Sequence, residues 1–125
     1  MYDIKITLDK NGIAPKYKDA SKSELCLYSP GFAMVPPEGH SVIDTGVHID
    51  IPDGYIGKIE STDDLLIKNS IICYGTVGPH ANTNVKVVVF NHGSKIQFFD
   101  TGELLAKLAI YKSGLPANFS IESEQ

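Results

Sequence analysis

Apolar residues recur along this chain mostly at spacing two, in short runs cut by glycine, proline or asparagine. That alternation puts one face of a strand inward and the other outward, so it predicts strands where a helix would need spacing three and four. Ile4, Ile6 and Leu8 alternate with Asp3, Lys5 and Thr7 before the turn Asp9-Lys10-Asn11-Gly12. Leu25 and Leu27 alternate with Cys26 and Tyr28 until Ser29-Pro30-Gly31 ends the run. Pro36-Pro37-Glu38-Gly39 and Pro52-Asp53-Gly54 are further turns, because proline presets φ and glycine takes conformations other residues avoid. Val47, Ile49 and Ile51 face one way, His48 and Asp50 the other. Val85 to Phe90 is apolar on both faces, which predicts a strand lying deep in a sandwich or barrel. Leu104, Ala106, Leu108 and Ile110 form the inward row of the last strand. Asp63 to Asn69 alone reads as a helix of a turn or two, its leading carboxylates suited to the positive end of a helix dipole. The fold class is therefore all-β, with a domain over residues 1–112 and a polar tail over 113–125 that is flexible unless a partner holds it.

The 125 residues suffice for one core and fall short of two domains. A net charge of −4, with lysines scattered singly, excludes nucleic acid as a partner, since its phosphates call for clustered cations. No apolar run approaches a membrane span and Met1 to Lys5 carries no signal-peptide segment, so the expected setting is the interior of a cell, without secretion. Cys26 and Cys73 are too few for a disulfide framework and read as free thiols in the core. Asn118-Phe119-Ser120 matches a glycosylation triplet by chance in a chain with no secretory route. His40, His48, His80 and His92 lack metal-ligand spacing, so no metal and no cofactor is expected. All eleven basic residues are lysine. Arginine, whose planar fork binds phosphate through two parallel hydrogen bonds, is absent from the chain.

Three stretches carry a resemblance. The first is Val42-Ile43-Asp44-Thr45-Gly46-Val47-His48-Ile49-Asp50-Ile51-Pro52-Asp53-Gly54-Tyr55-Ile56-Gly57; the second runs from Gly75 through Val77-Gly78-Pro79-His80-Ala81 to Phe90-Asn91-His92-Gly93. The third is Phe98-Phe99-Asp100-Thr101-Gly102-Glu103-Leu104-Leu105-Ala106-Lys107-Leu108. At this spacing the chain resembles the trimeric deoxyuridine triphosphatase (dUTPase) family. The resemblance implies a β-jelly roll (β-clip) fold and a homotrimer with active sites shared between chains. Within the family, Gly12-Ile13-Ala14-Pro15 and Val88 to Gly93 look most like the catalytically degenerate early-region proteins of adenoviruses.

Carried over position by position, the resemblance sets Gly78 where the enzyme has its water-activating aspartate and Ala81 where it has the tyrosine that packs on deoxyribose. Thr62 and Asp63 stand for a phosphate-gripping arginine and serine, and Cys26 for an aspartate of the first motif. Losing a general base removes about 100-fold to 10,000-fold of rate. Glu60, Asp63 and Asp64 fall where a triphosphate would lie, and a carboxylate about 7 Å from a phosphate charge repels it by roughly 2 kcal/mol at an effective dielectric of about 20. Lys58 and Lys68 would offset part of that repulsion.

On these grounds the expected function is non-catalytic: a viral dUTPase-fold protein, trimeric, binding no nucleotide. It would serve as a virion component or host-factor adaptor in the infected cell, with Glu60, Asp63, Asp64 and His80 as a candidate face for a capsid or host protein. The chain end Ser123-Glu124-Gln125 lacks the aliphatic terminus that a PDZ partner needs. The blander reading of the same carboxylates is a solvated loop or a magnesium-attracting cluster. Two alternatives stand beside it: a divergent active nucleoside triphosphate pyrophosphatase, in which His80 beside Asp63 or Asp64 could substitute as an acid-base pair, and an unrelated monomeric β-sandwich.

Overall fold

A computed structural model describes residues 4–114 and 118–124. The expectations that involve Asp3, Pro116 and Gln125 lie outside those residues.

Among the described residues, ten strands and one helix follow in the order β1 (Ile6–Leu8), β2 (Lys16–Tyr17), β3 (Leu25–Tyr28), β4 (Ala33–Val35), β5 (His40–Ile49), β6 (Tyr55–Glu60), α1 (Asp63–Asn69), β7 (Ile71–Val77), β8 (Thr83–Asn91), β9 (Gln97–Phe99) and β10 (Leu104–Lys112). Eight strands make one sheet in the order β1-β5-β8-β7-β6-β10-β3-β2, and β4 pairs with β9 in a second. Every pairing is antiparallel. The inward rows close on a single core of Leu27, Val35, Val47, Ile49, Ile59, Ile71, Val77, Val85, Val87, Val89, Phe99, Leu105 and Leu108, all nearly excluded from solvent. The all-β expectation holds.

The single helix falls where the carboxylates of the sequence placed it. Thr62 caps it with extended backbone, its hydroxyl accepting from the Leu65 amide at 3.3 Å, and Ser70 ends it in the left-handed region. None of its residues is fully buried and Leu65 packs on the edge of the core, so the cap and the acidic first turn carry much of its stability.

Glycine is required where the turn after β1 seats on β5. A Cβ at Gly12 would land on the carbonyl oxygen of Gly46, and Gly46 itself has φ of +69°. Between Asp44 and His48 the ladder of β5 with β8 is broken by a bulge. Gly46 donates its amide to Asp44 Oδ1 at 2.9 Å and accepts at its carbonyl from the Asp9 amide at 2.8 Å. Bulge and turn thus lock β1 to the sheet.

Three expectations are corrected. The inward row of β10 is not Leu104, Ala106, Leu108 and Ile110: Leu104 is 42% exposed while adjacent Leu105 and Ala106 are both buried. A register shift between Leu104 and Ala106 against β3 inserts the extra residue that turns Leu105 inward. The strand Val85 to Phe90 is deep on one face only, with Val85, Val87 and Val89 fully buried and Phe90 37% exposed. Its other face forms, with Val42 of β5 and Ile72 and Tyr74 of β7, an uncovered apolar surface in the single chain. Finally, only Cys73 is a core thiol, and desolvation pushes it up to about 11. Cys26 is half-buried and opens to a pocket.

Candidate functional site

The register of three strands decides which predicted residues meet. On β10, Lys107 is paired with Cys26 of β3 on one side and with Glu60 of β6 on the other. The chain leaves β6 at Glu60, and two residues later Thr62 starts α1, so the carboxylates of its first turn arrive beside the same strands. The result is a pocket of about 290 Å³ lined by Lys18, Cys26, Thr62, Asp63, Asp64, Leu104 and Lys107. Four residues singled out from the sequence, Cys26, Thr62, Asp63 and Asp64, therefore come together from separate stretches of chain.

The others do not. Glu60 lines a shallower surface with Ile56, Lys58 and Tyr111. Its carboxylate nevertheless acts at a distance on Lys107, raising the ammonium together with Asp63 and, above all, the hydrogen-bonded Glu24. Gly78, His80 and Ala81 sit on the β7–β8 hairpin, outside the pocket of their own chain. There the His80 amide donates to the Gly78 carbonyl at 2.9 Å, a tight turn that leaves His80 and Ala81 exposed to solvent. The substitute acid-base pair of His80 with Asp63 or Asp64 is accordingly not formed within one chain.

Sequence reasoning missed Lys18, Glu24 and Lys107. Glu24 Oε2 lies 3.1 Å from Lys107 Nζ, and Glu24 Oε1 lies 3.9 Å from Lys18 Nζ. Lys107 and Glu24 are 21% and 24% exposed at their side chains, so this pair is less screened than an open surface ion pair. The expected counter-charges fare differently: Lys68 pairs with Asp64 at 3.6 Å along α1, fully in solvent, and Lys58 lines the neighbouring surface. No local motif marked Lys18 or Lys107. Their role depends on β2, β3 and β10 lying side by side.

Among the described residues, no group of three or more histidine, cysteine, aspartate and glutamate side chains is placed to hold a metal ion. Among the described residues, no helix is long and apolar enough to cross a membrane.

The chain matches the family model for dUTPase over residues 10–123. It is 28% identical to the deoxyuridine 5'-triphosphate nucleotidohydrolase of Finegoldia magna across 87% of this chain and 80% of that protein. To the protein of the same name from Clostridium tetani it is 26% identical, covering 87% and 78%. Among solved structures, the dUTPase of Staphylococcus bacteriophage 80alpha with dUpNHpp superposes with a TM-score of 0.88 over 99% of this chain and 90% of that one, at 18% identity. A variant dUTPase of phage phi11, described for its coordination of a structural Mg(II) ion, gives 0.85 over 98% of both chains, also at 18% identity. At such identity these structures carry the fold.

The comparisons lend nothing to the narrower likeness to adenoviral proteins. They also overturn the expectation of a non-catalytic protein-interaction module that excludes nucleotide, because the curated relatives spanning most of the chain are named as nucleotide hydrolases. The physical fault in that expectation is visible in the pocket. It counted the carboxylates at 60, 63 and 64 and the missing side chains at 78 and 81, and took no account of two ammonium groups that the fold delivers to the same cleft. With the family model running from residue 10 to residue 123 and the fold shared over nearly its whole length, this chain belongs to the dUTPase family.

Proposed function

We propose that the chain is a divergent nucleoside triphosphate pyrophosphatase, acting on deoxyuridine triphosphate or a close analogue of it. The observation that supports this most is the convergence of Cys26, Thr62, Asp63 and Asp64 with Lys107 in one pocket, inside the stretch that the dUTPase family model covers. In the reaction a water molecule attacks the α-phosphorus, the bond from that phosphorus to the oxygen bridging toward the β-phosphorus breaks, and pyrophosphate leaves. The water's proton must pass to a base. Gly78 has no side chain to take it, and Asp63, which lines the pocket and is open to solvent, is the carboxylate we assign to that role. Thr62 contributes its hydroxyl to the cap of α1 and so holds Asp63 at the pocket rim.

A homotrimer is part of this reading. The uncovered face of Val42, Ile72, Tyr74 and Phe90 supports association of copies, and a shared site would let the 78–83 hairpin of one copy reach the pocket of the next. The test is release of pyrophosphate from a panel of nucleoside triphosphates with magnesium. Turnover should be found for deoxyuridine triphosphate, and Asp63→Asn should lower it by about 100-fold to 10,000-fold while the variant still melts in one cooperative transition. Absence of turnover for every nucleotide in the panel would sink the reading.

A further inference from the structure

The structure assigns the anion-gripping role in this pocket to Lys18 and Lys107, with Glu24 as an internal counter-ion that a diphosphate group must displace. It rests on the pyrophosphatase reading for the identity of the substrate, while the geometry stands by itself. Glu24 presents its two carboxylate oxygens to two different ammonium groups, Oε2 to Lys107 at 3.1 Å and Oε1 to Lys18 at 3.9 Å. Two oxygens of a phosphoryl group have the same charge sign and a comparable spacing, so the carboxylate stands where such a group would be held. Because lysine offers a point charge and no fork, two of them facing one anion supply the two contacts that a single arginine would make.

The backbone fixes the arrangement. The Lys18 amide donates to the Glu24 carbonyl at 3.0 Å, closing the β2–β3 hairpin that carries both residues. Lys107 reaches them from β10, which is paired to β3 through Lys107 and Cys26. Lys107 also has Asp63 and Glu60 acting on it, and the pocket holds Asp64 as well. Glu24 is the carboxylate in direct contact with both lysines, so its removal leaves them facing an incoming anion against only the longer-range charges of Asp63, Glu60 and Asp64.

The experiment uses the full chain and inorganic pyrophosphate without magnesium, titrated by calorimetry. Glu24→Gln should bind pyrophosphate about tenfold or more tightly than the wild type, the ratio one charge-assisted hydrogen bond supports. Lys107→Met should weaken binding by a similar factor, and Lys107→Arg should restore it. Lys18→Met, a change at an exposed side chain that leaves the fold intact, should also weaken binding and serves if Lys107→Met fails to fold. Equal affinity in wild type and Glu24→Gln, or no loss in Lys18→Met, overturns the proposal. Measuring deoxyuridine triphosphate turnover in parallel separates the two readings. Turnover without this order of pyrophosphate affinities refutes the clamp alone, and the order of affinities without turnover refutes the hydrolase alone.

Discussion

His48 shows how one side chain can tie three segments together. Its Nε2 lies 3.0 Å from Asp9 Oδ1 in the turn after β1, and its Nδ1 lies 3.4 Å from the Asn82 carbonyl in the β7–β8 hairpin. The Asp9 hydrogen bond raises the imidazole above its ordinary value, helped by the Asn82 carbonyl and the charge of Asp44 and opposed by partial desolvation. A folded-state value above the unfolded one means that the protonated form is preferred in the fold. The stabilisation is therefore complete below the unfolded value of about 6.5 and is lost as pH rises through the folded value. The melting midpoint should fall across that window in the wild type. In His48→Gln the fall should be flatter, and an identical slope in both proteins would show that the contact contributes nothing. Asp44 behaves oppositely: hydrogen bonds from Asn84 and the Gly46 amide hold its carboxyl below the usual range, so its contribution is present above the unfolded value and disappears in acid.

At the scale of elements, the contact of the β1 turn with the β5 bulge is a place where backbone meets backbone with no room for a methyl group. Gly12→Ala forces either Asp9 to Gly12 or the bulge at Gly46 to move, and overpacking of this kind costs about 1 to 3 kcal/mol. Chemical denaturation should show that loss. An unchanged midpoint would mean that the turn can shift freely. The register slip in β10 is the same device used differently. It buries Leu105 and Ala106 side by side and frees Leu104 to line the pocket, so a packing irregularity also shapes the site.

For the whole molecule, the outward face of β5, β8 and β7 is the clearest sign of assembly. Val42 is 60% exposed, Tyr74 60% and Ile72 40%, and the Phe90 ring lies 5.7 Å from that of His40. Three copies would hide such a surface. Light scattering should give a mass three times the 13.6 kDa of one chain. Val42→Asp should shift that mass toward the single chain and reduce turnover, since a shared site comes apart with the trimer. A single-chain mass for the wild type would rule the trimer out.

Spacing-two alternation and turn residues were enough to find β1, β3, β5, β8 and β10, and the pair Asp63 and Asp64 was enough to place α1, because these signals act within a few residues. The fold family was legible for the same reason: its motifs are contiguous stretches. The alternation also marked Leu104 as an inward residue, and the usual burial of a strand thiol marked Cys26 as core; both were decided otherwise by long-range pairing. A bulge shifts a strand by one residue and exchanges its faces, and no local pattern announces it. The meeting of Lys18, Glu24 and Lys107 depends likewise on the β2–β3 hairpin lying beside β10, although the two are far apart along the chain. Sequence settled where β1, β3, β5, β8, β10 and α1 run; the tertiary structure settled which charges share a cleft, because charges interact through space and strand order alone brings these together.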